Sequence, residues 1–210
     1  MDVSGGEMSV QTNLVIIAKG SARPVDRRAL GRLVYGAYKD VARALGMREE
    51  AAIGVLAKAA DLEQCFIAWK GESVVGFQGL VERHARPFRF RFQIIREHCS
   101  FLRSLIYFLL LRARSWRVLR PREMMFENLV VSPEERKQGI GARLVERAEG
   151  YAKENGYQTV SIEVVDTNLL ALGMFTRKSY AIIRSRHTGL LTRTAGFTGN
   201  HFMRKRVSAL

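Results

Sequence analysis

The stretch Leu129-Val-Val-Ser-Pro-Glu-Glu-Arg136-Lys137-Gln138-Gly139-Ile140-Gly141-Ala142-Arg143-Leu144 decides how this chain is read. It begins as an apolar strand, passes through a basic turn containing two glycines, and ends as a helix. A turn of that composition is an anion site. Glycine lets the backbone approach a ligand closely, the first N–H groups of a helix have no partners within it, and the helix dipole favours negative charge there. Arg136 and Lys137 place positive charge beside those donors. Two other phosphate loops fail against the same letters. The dinucleotide pattern needs a third glycine where Leu144 stands, and the nucleoside-triphosphate loop needs Gly-Lys-Ser/Thr where Gly141-Ala142-Arg143 stands.

Outward from this segment the pattern is regular. A strand over 124–131 leads into the turn, and a helix over 142–155 closed by Gly156 leaves it. A strand over 159–164, a helix over 168–177 and a strand over 180–185 follow. That βαβαβ order is the mark of helices packed on a sheet. The stretch 189–199, rich in Thr and Gly, reads as a loop before a last strand over 201–207. Toward the amino terminus, 13–18 reads as a strand. Asp26 is a helix N-cap before Leu30, Leu33, Val34, Ala37 and Val41 at helical spacing, and a second helix covers about 49–60. The runs 64–69 and 73–81 around Lys70-Gly71-Glu72 form a hairpin.

The segment 88–118 is of another kind. Phe88, Phe90 and Phe92 alternate with Arg89 and Arg91, and 94–118 becomes a basic, very apolar helix. The wholly apolar run between Arg103 and Arg112 falls far short of the roughly 20 residues that a bilayer span needs. A buried helix, a dimer surface, an acyl-binding lid and an interfacial membrane helix all fit such a sequence, burial being the general rule for helices apolar on every side.

Composition bounds the rest. The 210 residues fit one domain over 1–210, and 47% hydrophobic with 26% charged residues is globular composition. Thirty-four Lys and Arg against twenty Asp and Glu give a net charge of +14, which attracts anionic partners or serves solubility. No helix-turn-helix or RNA-binding signature accompanies the charge, so nucleic acid is not the expected partner. Two cysteines are too few for a disulfide framework or a zinc site, and residues 1–10 lack the pattern of a secretory signal; a cytoplasmic location is expected. The four histidines show no metal-ligand spacing, and no metal is expected.

Arg136-x-x-Gly139-x-Gly141, after a strand ending Val131-Ser-Pro-Glu, resembles motif A of the GNAT family of N-acetyltransferases. Asn168-Leu-Leu-Ala171-Leu-Gly-Met-Phe175, with Ser179-Tyr180 downstream, is similar to that family's second signature, Asn-x-x-Ala-x-x-x-Tyr followed by Gly-Phe. The resemblance covers about 124–185, with a looser match of the 64–81 hairpin. It implies an α/β fold with a single mixed, mostly antiparallel central sheet flanked by helices, here carrying an apolar helical insertion at about 88–118. It implies acetyl-CoA, or another acyl-CoA, as co-substrate. The strand Leu129, Val130 and Val131 would meet the pantetheine arm, through the main chain of Leu129 and Val131. The turn Arg136, Lys137, Gln138, Gly139, Ile140, Gly141 and Ala142 would cradle the diphosphate, with Asn168, Ala171 and Phe175 completing the cofactor wall.

The implied activity is acetyl transfer to a primary amine by direct attack in a ternary complex. The acceptor is open: a small amine, an aminoglycoside, an amino sugar, or a protein amine. Homodimerisation is compatible with the family. For the base, Glu127 is the best letter, two residues before Leu129 and so on the same face by period two. Glu163 and Asp166 are weaker candidates. Where family members carry a tyrosine that protonates the leaving thiolate this chain has Phe175, which cannot; Tyr180 and Tyr151 are candidates only as phenols. That departure also leaves open a non-catalytic acyl-CoA sensor, and the charge leaves open a nucleic-acid or membrane-surface binder.

Overall fold

In the computed structural model, residues 14–115, 119–187 and 196–207 are described. Residues 1–10, the end of the expected helix at 116–118 and most of the expected loop at 189–199 lie outside them. A seven-stranded sheet in the order β1-β2-β3-β4-β5-β7-β6 organises the chain. Its strands are β1 (Val15–Lys19), β2 (Cys65–Lys70), β3 (Ser73–Val81), β4 (Glu123–Val131), β5 (Thr159–Val165), β6 (Ala181–His187) and β7 (Gly199–Arg206). Among the described residues only β4 and β5 run parallel, and every other strand pairing is antiparallel. The mixed, mostly antiparallel sheet expected from the sequence is therefore the sheet observed.

Strand alternation sorts side chains onto two cores. Phe66 and Ala68 of β2, with Met124 and Phe126 of β4, face helix α5 (Ile140–Glu154) through Leu144, Val145 and Ala148. Their neighbours Cys65, Ile67 and Trp69 face the other way, onto Leu30 and Val34 of α1 (Arg27–Ala44). Being covered on both sides is why β2 is apolar without a break from Cys65 to Trp69. Gly76 makes the α5 contact possible: a β-carbon there would sit 2.9 Å from Leu144 Cδ1.

Asp26 begins α1 as its composition predicts, its carboxylate accepting from the N–H groups of Arg28 and Ala29 at 2.8 and 3.0 Å. The second helix, α2 (Glu49–Ala59), lies against α1 so closely that a β-carbon on Gly31 would come 2.6 Å from the Ile53 carbonyl.

The insertion differs from the continuous helix expected over 94–118. A short α3 (Phe92–Arg96) is followed by a break and then α4 (Phe101–Ser115). Helix α4 is not buried all round. Ser104, Tyr107, Phe108 and Leu111 turn inward, the last three packing with Val55 and Ile95, while Leu102 (67% exposed) and Leu109 (58%) face solvent. No helix of the described residues is long and apolar enough to cross a membrane.

Burial of three titratable groups sets the alkaline limit of this fold. Burial pushes the Cys65 thiol from 9.0 up to about 12, and burial reinforced by Glu82 pushes the Tyr157 phenol from 10.0 to about 12. The Tyr180 phenol is raised by burial and by Glu149. Each folded-state pKa lies above its unfolded value, so the stabilisation is complete below about pH 9 and is lost as pH rises toward 12. Urea denaturation at pH 8 and pH 11 is expected to give a lower unfolding free energy at the higher pH; equal values would contradict the burial.

Candidate active site

A bulge in β4 builds the site. Phe77 of β3 pairs with Val130, but Gly79 pairs with Glu127, so β3 advances two residues where β4 advances three. Asn128 takes the extra position with φ +60°, a left-handed conformation that asparagine tolerates better than most residues. The buried Gln78 amide holds the bulge by donating to the carbonyls of Glu127 (3.1 Å) and Gly79 (2.9 Å), and the Tyr38 hydroxyl donates to Asn128 Oδ1.

The bulge overturns the period-two placement of Glu127. Before it, Met125 and Glu127 line a cavity on the α1–α2 side, and Asn128 joins them. After it, Leu129 and Val131 pack on the α5 side. Glu127 and Leu129 thus occupy opposite faces of one strand. No hydrogen bond or ion pair engages the Glu127 carboxylate among the described residues.

The turn after β4 has the form expected of an anion cradle. Gly139, at φ +77°, is the N-cap of α5, and Lys137 is also left-handed at φ +62°. No side chain caps this helix end and no acidic residue sits in its first turn, so its dipole and first N–H groups face outward. A β-carbon on Gly139 would meet nothing within 4 Å, and one on Gly141 only Val131, Leu129 and Met174 at 3.7–4.0 Å. Lys70 anchors the turn through Glu135 at 2.7 Å, and Arg143 ties α5 to the Val15 carbonyl at 2.9 Å. Arg136 Nε donates to the Val131 carbonyl at 3.2 Å, so one main-chain group expected to meet the cofactor has an internal donor here.

Between cradle and bulge the sheet opens. Strands β4 and β5 pair from Glu123↔Thr159 to Phe126↔Ile162 and then part, although β4 continues to Val131 and β5 to Val165. From Glu127 to Val131 the β5-side edge of β4 thus has no strand partner among the described residues, and it runs from the bulge to the turn before α5.

The profile of the Acetyltransferase (GNAT) family matches residues 35–180. The chain belongs to the GNAT acetyltransferase family. No curated protein matches it. Three solved structures share its fold. An aminoglycoside 6'-N-acetyltransferase complexed with coenzyme A has a TM-score of 0.58 at 14% identity, over 92% of this chain and 97% of that one. The ribosomal-protein-S18-alanine N-acetyltransferase of Escherichia coli has 0.55 at 14%, over 94% and 96%. A putative acetyltransferase of Salmonella typhimurium, solved with its cofactor acetyl-CoA, has 0.55 at 10%, over 93% and 94%.

Acyl-CoA is the co-substrate of this family, and the residues fit it: an uncapped helix N-terminus for the diphosphate, a left-handed glycine with open space beside it, and a strand edge freed where β4 leaves β5. Asn168 serves as a cap, accepting from the Ala171 N–H at 3.1 Å to begin α6 (Leu169–Arg177), with Ala171 packed on the core. This explains their spacing in the GNAT signature. Phe175 is closed into the core, 1% exposed and edge-on to Tyr180 at 5.1 Å.

Tyr180, the phenol named as a candidate acid, has its hydroxyl engaged within the core. Its hydroxyl is buried and donates to Glu149 Oε1 at 2.9 Å, with Lys205 on the other carboxylate oxygen at 2.8 Å. Tyr180→Phe is expected to lower stability by about 1–3 kcal/mol, the cost of an orphaned buried acceptor, without changing kcat; a large loss of kcat at unchanged stability would return it to the site. Tyr151 is also engaged, donating to Glu82 at 3.1 Å, and lies about 16 Å along α5 from the cradle. Glu163 accepts from Asn200, and Asp166 accepts from Thr198, an arrangement that lowers its pKa. Both tie the end of β5 to the start of its sheet neighbour β7. Among the described residues no three His, Cys, Asp or Glu side chains form a metal-ligand set.

Sequence reading missed Tyr38, Gln78 and Asn128. The signal for the bulge was present: asparagine inside a strand, here next to Glu127 and between the apolar runs 124–126 and 129–131, is out of place in regular β structure.

Proposed function

We propose that this protein transfers an acyl group, acetyl in the first instance, from acyl-CoA to a primary amine within a ternary complex. The observation that carries the reading is the β4 bulge, which sets Glu127 in a cavity on one face and the cofactor strand on the other. Bound acyl-CoA supplies a thioester whose carbonyl carbon accepts the amine. The cradle Arg136–Ala142 holds the diphosphate, and the freed edge of β4 positions the pantetheine arm. Glu127 takes the proton from the attacking nitrogen, directly or through one water. As the C–N bond forms the C–S bond breaks. The thiolate takes its proton from solvent, since Phe175 has none to give and Tyr180 is committed to Glu149.

Thermal unfolding with acetyl-CoA, CoA, ATP and NAD tests the cofactor half, because a ligand that binds only the folded state raises its stability. Stabilisation by acetyl-CoA and CoA, with thiol release when an amine is added, is the expected result. Stabilisation by ATP or NAD alone would end the reading. The phenylalanine at 175 favours one rival, a sensor that binds acyl-CoA without turning it over; stabilisation without thiol release from any amine would select it.

A further inference from the structure

The cavity that ends at Glu127 has the wrong chemistry for a polycation or a peptide. It holds about 270 Å³ and is walled by α1, α2, α4 and the Phe88–Phe90 segment. Its surfaces are side chains such as Tyr35, Val55, Leu56, Phe88, Phe90 and Leu111; of the described residues that line it, only Arg86 and Glu127 carry charge. An aminoglycoside or a basic peptide brings several ammonium groups, and each beyond the first would be buried here without a carboxylate. The mouth is apolar too, at Val41, Leu45 and Leu110, which are 37–46% exposed. None of the cradle residues lines this cavity, so it lies outside the cofactor's phosphate site and takes the other reactant.

Size narrows the class. A cavity of about 150 Å³ already admits benzene, so this one accommodates an aromatic ring with a short arm, or an alkyl chain of several carbons. Resting on the acyltransferase reading above, we infer that the acceptor is a primary amine on an apolar body, an alkylamine or arylalkylamine, with its nitrogen at Glu127 and its body among the aromatic and aliphatic walls. The insertion 88–118 supplies two of those walls, which assigns it to acceptor choice.

Thiol release from acetyl-CoA with ethylamine, butylamine, hexylamine and phenethylamine, beside kanamycin and a lysine peptide, tests this. Each buried methylene is expected to raise kcat/KM about fourfold, so hexylamine exceeds ethylamine by about 10²-fold. Kanamycin and the peptide are expected to fall below hexylamine. Val41→Trp, at the exposed rim where folding tolerates it, should collapse the hexylamine-to-ethylamine ratio to within a few fold. A flat response to amine length, or preference for kanamycin or the peptide, overturns the assignment. So does a length response found in the acyl group of the CoA thioester and not in the amine. Thermal shift by the amines without acyl-CoA separates the two readings. Length-dependent, Val41→Trp-sensitive stabilisation with no thiol release would keep the cavity assignment and reject transfer, whereas release with a flat response would do the reverse.

Discussion

Glu127→Gln is expected to lower kcat/KM for the amine by about 10²-fold or more while leaving acyl-CoA affinity unchanged. A general base contributes about 10²–10⁴-fold, and glutamine keeps the shape but takes no proton. Affinity for the co-substrate survives because Glu127 lies on the α1–α2 face and the cofactor strand on the other. The pH profile should change with the rate. The residual activity should follow only the fraction of free amine, climbing toward the amine's own pKa, near 10.4 for a lysine-like ammonium. Steady-state kinetics from pH 6 to 10, with calorimetric titration of CoA, measure both. An unchanged kcat/KM would strip Glu127 of the role and leave it a cavity wall.

Gly139→Val should act on the other substrate. A side chain at φ +77° is strained by about 1–2 kcal/mol, and its methyl groups would project into the space beside the α5 N-terminus, where a β-carbon meets nothing of the protein. The clash is therefore with the ligand. The expected result is at least a tenfold rise in the KM for acyl-CoA, the KM for amine unchanged, and a modest fall in Tm. The same acyl-CoA affinity as wild type would place the diphosphate elsewhere.

The elements that the sequence announced are those set by local chemistry. Asp26 and Asn168 cap the helices after them because a short polar side chain reaches its own chain's N–H groups whatever the rest of the fold does. The turn Arg136–Gly141 was legible for the same reason: its left-handed glycine and uncapped helix end are properties of a few adjacent residues. What escaped depends on distant partners. The face of Glu127 turned on a bulge held by Gln78 of β3 and Tyr38 of α1. The fate of Tyr180 turned on a carboxylate 31 residues earlier. The inner face of α4 was chosen by Val55 and Ile95, to which its own uniform apolarity gave no clue.

The single supernumerary residue in β4 also makes the strand a matter of parity. With Asn128 in place, Glu127 and Leu129 stand two residues apart yet face opposite ways, where a regular strand would put both on one face. Deleting Asn128 would leave both faces as they are, since Glu127 and Leu129 would then be neighbours in plain alternation; smoothing the bulge with every residue kept would instead send Leu129 and Val131 toward the acceptor cavity. Substitutions along β4 can be graded by size or charge, but loss of the bulge at constant length is all or none: it transposes the two substrate addresses. The left-handed turn of the chain at Asn128 is thus as much a part of the site as Glu127 itself.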